Sequence, residues 1–269
     1  MIEEHEVNRL HWNEVTPVHK GSAFYDLPGF LAGKNMLDPL ARDGLGNVRG
    51  KSLLHLQCHF GLDTLSWARM GAQVTGVDFS EEAIASAEEI AREAGLADHA
   101  RFVLSDVLEL NSVLDQRFDF VFTSHGTVTW LNDIRRWAGV VAAHLKPDGL
   151  FYFLDDHPTG LLFETRGGGP PQVYFGYYHS GEPLVFENET DYAERSYRSK
   201  GPARAWIWSI EDIFGALEEC GLAISRVREY PFNVYEQFRS MRRDEQGYWR
   251  LPQEWPSLPL MLGFKARWK

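Results

Sequence analysis

The sequence has little cysteine and no long hydrophobic run. Its 269 residues include only two cysteines, Cys58 and Cys220, which excludes a disulfide-stabilised scaffold and favours a reducing compartment. No apolar stretch approaches the roughly 20 residues that a membrane-spanning helix requires. The acidic, polar N-terminus, Met1–Glu6, lacks the basic and apolar regions of a secretory signal. We therefore expect a cytoplasmic protein with no membrane partner.

Positive charge is also scarce. The chain has 27 Lys and Arg against 38 Asp and Glu, which gives a net charge of −11. Nucleic-acid binders usually present a basic face, so we expect no nucleic-acid partner. Hydrophobic residues make up 44% of the chain and aromatic residues 13%. This is an ordinary globular composition, with enough apolar material for one large domain or two small ones.

Seven short apolar segments alternate with helical patterns. The predicted strands are 51–56, 73–78, 101–104, 118–122, 150–154, 223–227 and 260–266. The predicted helices between them include 62–70, 83–94, 133–145 and 209–220. Strands that alternate with helices indicate βαβ units, and therefore an α/β fold with a doubly wound, mainly parallel seven-stranded sheet and helices on both faces. Such sheets bind ligands at the carboxyl ends of their strands.

The first part of the chain, residues 1–46, is predicted to be a separate helical cap. Aromatic and polar residues mix there without a strand pattern. Pro17, Pro28 and Pro39 are expected to divide it into short helices, because proline ends or kinks a helix.

Two aromatic-rich segments interrupt the alternation inside the main domain, 47–269. They are residues 156–208 and 231–256. Long insertions in compact domains are usually lids or binding loops, and their aromatic content argues against disorder. We expect the longer one to contain some antiparallel strand and to form a substrate lid over the carboxyl edge of the sheet.

The turn after the first predicted strand carries a family resemblance. The run His55-Leu56-Gln57-Cys58-His59-Phe60-Gly61 resembles the cofactor loop of the class I S-adenosylmethionine-dependent methyltransferases. In that family an acidic residue precedes glycines at alternate positions. Here His55 replaces the acid, Gln57 and His59 replace the first two glycines, and only Gly61 is kept.

Further landmarks of that family recur in order. They are Asp78, Asp106, Phe118-Asp119-Phe120-Val121 and the run 145–150. The resemblance is strong over 45–155 and loose over 209–269, and it extends to bacterial methyltransferases of unassigned substrate that carry a comparable turn. It implies a Rossmann-like fold, S-adenosylmethionine as the cofactor and methyl transfer as the activity.

The resemblance also implies roles for single residues. Asp78 is expected to bind the ribose hydroxyls, and Phe79 to cover the adenine. Asp106 and the backbone amide of Val107 are expected to bind the adenine edge, and Ser124 to lie near the sulfonium. The expected cofactor-binding residues are Gln57, Cys58, His59, Gly61, Asp78, Phe79, Ser105, Asp106, Val107 and Ser124.

Three residues of the turn leave alternatives open. Gln57 and His59 either contact the amino-acid end of the cofactor or only pack in the turn. Cys58 is interpreted as a small buried hydrophobe rather than a nucleophile. His55 and His59 have no Glu between them as in a zinc-protease helix, so we expect no metal.

Acid–base catalysis and acceptor binding are predicted at the same edge. His125 is the preferred general base, with Asp155, Asp156 and His157 as further candidates. The segment that contains these three residues is equally compatible with a solvated turn. The residues expected to bind the acceptor are Tyr25, His157 and Trp206.

Missing motifs narrow the function. Residues 123–126 carry no Asn-Pro-Pro-Tyr or Asp-Pro-Pro-Tyr motif, and the sequence has no Pro-Cys pair, which disfavours methylation of base amines and of pyrimidine carbons. The negative charge and the aromatic insertions favour a small organic acceptor. A dinucleotide-dependent oxidoreductase lacks its Gly-x-Gly-x-x-Gly turn. A non-catalytic S-adenosylmethionine-binding module remains the main alternative.

Overall fold

A seven-stranded sheet forms the centre of the computed structural model, which describes residues 3–165 and 169–269. The strands are β1 (Ser52–Leu56), β2 (Gln73–Asp78), β3 (Ala100–Leu104), β4 (Phe118–Ser124), β5 (Leu145–Asp156), β6 (Leu222–Tyr230) and β7 (Met261–Trp268). Their order across the sheet is β3-β2-β1-β4-β5-β7-β6. The first five strands are parallel, and β7 runs antiparallel to both β5 and β6. The predicted doubly wound, mainly parallel fold is confirmed.

Seven helices surround the sheet in the described part of the chain. They are α1 (Glu3–Gly21), α2 (Leu27–Leu31), α3 (Pro39–Leu45), α4 (Leu62–Arg69), α5 (Glu81–Glu93), α6 (Ile134–His144) and α7 (Ile210–Glu219). Short 3-10 turns occupy Ala97–His99, Val107–Ser112, Val128–Trp130 and Gly160–Leu162. Side-chain caps fix where helices begin: the Ser80 hydroxyl accepts from the N–H of Ala83 at the start of α5, which satisfies an otherwise unpaired donor.

The sheet separates two hydrophobic cores. Leu54 and Phe151 pack on one face with α6 and α7. Leu53 and Tyr152 pack on the other face with α3 and α4. Successive strand residues point to opposite faces, so adjacent apolar residues in a parallel strand supply both cores. This explains why the residues of β1 from Leu53 to Leu56 are all buried, with no alternation of buried and exposed positions.

The N-terminal segment differs from its prediction in one respect. The helix α1 continues through Pro17 for 19 residues, whereas the sequence suggested a break there. Proline removes one helical hydrogen bond, but the Thr16 hydroxyl donates to the Trp12 carbonyl at 2.7 Å. The side chains of Val15, Thr16 and His19 are also buried, so tertiary packing on both sides of Pro17 holds the helix together.

The insertions contain the expected antiparallel strand. The short pairs are Phe163–Glu164 with Gln172–Val173, Leu184–Phe186 with Ala203–Ala205, and Arg242–Arg243 with Trp249–Arg250. The longer insertion contacts α1, because Asn8 and the Arg204 backbone exchange two hydrogen bonds of 2.8 Å. Its role as a lid, like the division at residue 46, stays a prediction. Residues 1–2 of the predicted cap and 166–168 of the predicted lid lie outside the described residues.

None of the described helices is both long enough and apolar enough to cross a membrane.

Gly61 tests how tightly the turn after β1 is packed. Its φ is +80°, and an added Cβ would lie 2.9 Å from the Phe102 ring. Gly95, after α5, has φ +67° with nothing near an added Cβ. We expect Gly95→Ala to lose about 1–2 kcal/mol of unfolding free energy through backbone strain. Gly61→Ala should lose a further 1–3 kcal/mol or so through overpacking.

Urea unfolding of both variants measures this difference. Equal losses in the two variants would show that the packing around Gly61 relaxes freely.

Candidate functional site

The turn after β1 has an uncommon backbone conformation. Gln57, His59 and Gly61 all have positive φ, at +54°, +51° and +80°. These are the alternate positions at which the family that this chain resembles carries glycine. Two of them hold residues with side chains here. A left-handed residue other than glycine costs about 1–2 kcal/mol, so neighbouring contacts must hold this turn in place.

Three hydrogen bonds hold the turn. The His59 N–H donates to Asp78 Oδ2 at 2.8 Å, and the Cys58 N–H donates to the Val77 carbonyl at 2.8 Å. The Gln57 side-chain Nε2 donates to the Thr127 carbonyl at 2.9 Å. The turn is thereby tied to the ends of β2 and β4.

Asp78 ends β2 and is almost fully buried. Its Oδ1 accepts from the Ser80 N–H at 2.9 Å, while Oδ2 accepts from His59. Burial raises the pKa of Asp78 to about 6, and these backbone hydrogen bonds oppose that shift. Each oxygen keeps free acceptor capacity, so the carboxylate is able to receive two hydroxyl groups at neutral pH.

Asp106, after β3, is paired with the N-terminal helix. Its Oδ1 accepts from the Leu108 N–H at 2.9 Å, and its Oδ2 lies 2.6 Å from His5 Nδ1. Burial alone would raise the pKa of Asp106, but the hydrogen bond and charge of His5 lower it overall. His5 Nε2 also lies 3.4 Å from the Asn132 nitrogen. The first turn of α1 therefore closes this end of the cleft.

The rest of α1, together with Asp191 and Tyr192 of the longer insertion, forms a roof over the turn. The Trp12 ring packs edge-on against His59 at 5.2 Å. His19 Nε2 lies 2.7 Å from Asp191 Oδ2, and both side chains are buried. The hydroxyls of Tyr25 and Tyr192 are hydrogen-bonded to each other. The roof and the strand ends together enclose a cleft at the carboxyl edge of the sheet.

Most of the predicted site residues line this cleft. They are Tyr25, Gln57, His59, Asp78, Phe79, Ser105, Asp106, Val107 and His125. Sequence reasoning missed other lining residues, namely His5, Trp12, Gly126, Thr127, Trp130, Leu131 and Tyr192. A signal for the α1 members existed: His5, Asn8, Trp12, Thr16 and His19 recur every three or four residues, which places a polar and aromatic stripe on one helix face.

One predicted cofactor residue, Ser124, lies beneath the cleft, where it contacts His55. Ser124 Oγ lies 3.0 Å from His55 Nε2, and His55 Nδ1 lies 2.8 Å from Thr64 Oγ1. Burial, reinforced by nearby His125, lowers the pKa of His55 to about 3. A neutral imidazole thus occupies the position of the family's acidic residue and links β1 to β4 and α4.

Cys58 and Gly61 also support the turn from behind. Cys58 is buried, and its Sγ would lie 2.8 Å from a Cβ added at Gly76. Burial raises the pKa of the Cys58 thiol, which keeps it protonated. Cys58 therefore acts here as a small packing residue, which was the interpretation preferred from the sequence.

Two predicted acceptor residues lie away from the cleft. His157 Nε2 lies 2.9 Å from Glu229 Oε1, and its Nδ1 accepts from the Thr159 N–H at 3.0 Å. Trp206 is 3% exposed within the core of the α6 and α7 face. Both side chains are already engaged in the fold, and of the three residues expected to bind the acceptor only Tyr25 lines the cleft.

The candidate bases separate in the structure. His125 lines the cleft with φ +35°, and burial lowers the pKa of its imidazole, so it is largely neutral at pH 7. Asp155 is fully buried and accepts from the Thr127 N–H and hydroxyl and from the Val128 N–H. Asp155 therefore holds the loop that positions His125.

Part of the chain is similar to known methyltransferases. Residues 53–149 match the family model described as a methyltransferase domain. The chain is 28% identical over 154 residues to a "Ubiquinone biosynthesis O-methyltransferase" of Actinobacillus pleuropneumoniae serotype 5b (strain L20), a match that covers 55% of this chain and 65% of that protein. The chain thus spans just under two thirds of the length of this curated relative.

Solved structures show the same fold. An S-adenosylmethionine-dependent methyltransferase of Mesorhizobium loti has a TM-score of 0.62 and 22% identity, covering 88% of this chain and 99% of that one. The DhpI–SAH complex has a TM-score of 0.56 and 18% identity, covering 98% and 97%. With the family match at 53–149, these likenesses confirm the resemblance to class I S-adenosylmethionine-dependent methyltransferases.

His5 tests the closure of the cleft by α1. We expect His5→Ala to lower the unfolding free energy at pH 7 by about 2 kcal/mol, because it leaves the Asp106 carboxylate buried without its partner. His5 holds the pKa of Asp106 down, so the stabilisation is present above the unfolded pKa of this residue. It should be lost as pH falls below about 4.

Urea unfolding at pH 7 and at a pH below about 4 measures this effect. The matched control is His99→Ala, at an exposed site. A loss of the same size at both pH values would contradict stabilisation of the ionised Asp106 by His5.

Proposed function

We propose, for a chain whose residues 53–149 match the methyltransferase-domain family, that it transfers a methyl group from S-adenosylmethionine to a small organic acceptor. The observation that carries the proposal is the cleft itself. It brings Asp78, Asp106 and the left-handed turn that follows β1 to one sheet edge. Nothing observed favours a dinucleotide-dependent oxidoreductase.

The described residues fit this cofactor. Asp78 has acceptor capacity on both oxygens for the ribose hydroxyls, and Phe79 lies beside it on the cleft. Ser105, Asp106 and Val107 would hold the adenine end. His5 engages Asp106 Oδ2 and the Leu108 N–H engages Oδ1, so the second acceptor position of each oxygen and the Val107 backbone are the groups left for the base.

Gln57 offers a further point of fit. Its Nε2 is fixed by the Thr127 carbonyl, so its Oε1 is a buried acceptor, and that oxygen has no hydrogen-bond partner among the described residues. An unpaired buried acceptor is costly. The ammonium group at the amino-acid end of the cofactor would pair with it, which favours the contact alternative for Gln57.

Positioning supplies most of the rate in this proposal. When bound, the cofactor would supply a methyl group on a positively charged sulfur. The acceptor would attack the methyl carbon in line with the carbon–sulfur bond, and the sulfur would leave as a neutral thioether. The roof excludes water and holds the reacting groups together. His125, neutral at pH 7 and on the cleft, would accept a proton from an acceptor that carries one.

The acceptor is proposed to be small. The cleft lies under α1, and its lining includes the aromatic side chains of Trp12, Tyr25, Trp130 and Tyr192 beside polar groups, an environment typical of sites for small organic molecules. The absence of a nucleic-acid partner and a cytoplasmic location stay predictions.

Calorimetry and a transfer assay test the function. We expect S-adenosylmethionine and its demethylated product to bind, and tritiated methyl to move from the donor to a member of a library of small amines, phenols and alcohols. Binding without any transfer would support the non-catalytic module. Failure of both ligands to bind would overturn the proposed cofactor.

Asp78 gives a direct prediction for the cofactor. We expect Asp78→Asn to weaken binding of the demethylated product at least about tenfold at pH 7.5, because one acceptor oxygen becomes a donor. Wild-type affinity should also fall as the pH drops below 6, since the pKa of Asp78 is about 6 and protonation removes acceptor capacity. Calorimetry across pH 5–8 measures both effects.

The exposed Asp98 provides the control variant, Asp98→Asn, which should bind like the wild type. Unchanged affinity in Asp78→Asn would remove Asp78 from the binding site.

His125 gives a prediction for turnover. We expect His125→Asn to lower kcat about 100-fold or more if the imidazole is the base. Asparagine is the replacement because it tolerates the positive φ at this position. The affinity for the demethylated product should stay within about twofold, because His125 does not hold the cofactor. Turnover with an acceptor from the library and calorimetry give the two numbers. A loss of affinity with unchanged kcat would reassign His125 to binding.

A further inference from the structure

Asp156, the last residue of β5, adjoins the wall of the cleft. It is 7% exposed, with Oδ1 accepting from Asn233 Nδ2 at 2.9 Å and Oδ2 accepting from the Tyr235 hydroxyl at 2.9 Å. A carboxylate has about four acceptor positions, so two are still open. Neither the turn after β1 nor the proposed cofactor contacts uses this group.

Gly126 is the residue of the cleft wall that lies next to Asp156. Gly126 lines the cleft and has φ +70°, and the closest atom to an added Cβ would be Asp156 Oδ2, at 3.7 Å. Any side chain at this position would stand beside that oxygen. The Asp156 carboxylate therefore lies directly behind the part of the cleft wall that Gly126 forms.

Aromatic rings surround this approach. The Tyr235 ring lies 5.7 Å from the Tyr192 ring, and Tyr192 is hydrogen-bonded to Tyr25 through their hydroxyls. Both Tyr25 and Tyr192 line the cleft. Faces of aromatic rings attract organic cations.

When Asp156 is ionised, no cationic side chain among the described residues offsets its charge. Among the described residues, the groups that act on Asp156 are Asp155, Asn233 and Tyr235, and none of them is a cation. Burial, reinforced by Asp155, raises the pKa of Asp156 to about 7. The Asp155 carboxylate itself accepts hydrogen bonds from backbone N–H groups of the loop 126–128. A carboxylate in such surroundings attracts a cation and repels an anion.

We propose, building on the proposed function, that the methyl acceptor is a small amine whose nitrogen binds the Asp156 carboxylate between Gly126 and the ring of Tyr192. The ammonium form of such an acceptor pairs with the carboxylate. It then gives one proton to a carboxylate oxygen of Asp156, which leaves a neutral nitrogen with a free electron pair. A carboxylate acceptor is excluded by the same charge, and an alcohol lacks the ionic part of the interaction.

Three probes with one ring and different head groups test this proposal. They are 2-phenylethylamine, 2-phenylethanol and phenylacetate, each titrated at pH 7.5 into the protein loaded with the demethylated cofactor. We expect the amine to bind roughly tenfold or more tightly than the other two, as for a buried charge pair. In Asp156→Asn the amine should lose about tenfold or more in affinity and bind no better than the alcohol.

Two controls separate this result from other failures. Asp148→Asn changes an exposed carboxyl of the same strand, at the opposite edge of the sheet, and should leave the preference for the amine intact. Affinity for the demethylated cofactor should be unchanged in both variants, which shows that they are folded. If that ligand fails to bind the wild type, the proposed function fails first.

The probe ranking in the wild type is decisive without any variant. Equal binding of the three probes, tighter binding of the alcohol or the acid, or no binding of any probe would overturn the amine proposal while leaving methyl transfer intact. An unchanged preference in Asp156→Asn would overturn it as well.

Discussion

The hydrogen bond from the His59 N–H to the Asp78 carboxylate fixes the geometry on which the site depends. The turn after β1 has left-handed residues at Gln57, His59 and Gly61, and two of these bear side chains. The cost of about 1–2 kcal/mol for each is comparable to the 1.5–3 kcal/mol or so that a hydrogen bond to a charged group contributes. The same carboxylate therefore shapes the turn and faces the cleft, so the fold of the turn and its binding capacity cannot vary independently.

The closure of the cleft likewise depends on a few buried side chains that also hold the fold together. Two buried histidine–carboxylate hydrogen bonds, His5 with Asp106 and His19 with Asp191, attach α1 to the sheet edge and to the longer insertion. Breaking one partner of a buried pair leaves an uncompensated charge, which makes the closed arrangement specific. Because Asp106 also begins the turn at Val107–Ser112, movement of α1 would shift the end of the cleft that Asp106 and Val107 line.

The fold was largely predictable from sequence, because β-branched residues and terminal glycines set local structure. The strand at 73–78 has its predicted bounds. The conformation of Gln57 and His59 was not predictable, since only distant hydrogen bonds make a left-handed residue acceptable there. The pairing of His5 with Asp106 joins residues 101 positions apart, and neither residue carries a local signal of it. The order of the landmark motifs predicted the strand ends that line the cleft, but not the roof over them.

The consecutive ionisable residues at the end of β5 show why acceptor chemistry is harder to predict. In the sequence, Asp155, Asp156 and His157 suggest one acid–base group. Neighbouring strand residues point to opposite sides, and the structure gives each a separate environment. The Asp155 carboxylate is hydrogen-bonded to the loop 126–128, and the His157 ring is hydrogen-bonded to Glu229. Of these three residues, only Asp156 keeps open acceptor positions beside the cleft. A hydrogen-bond donor that fills these positions must come from another element of the fold or from the acceptor.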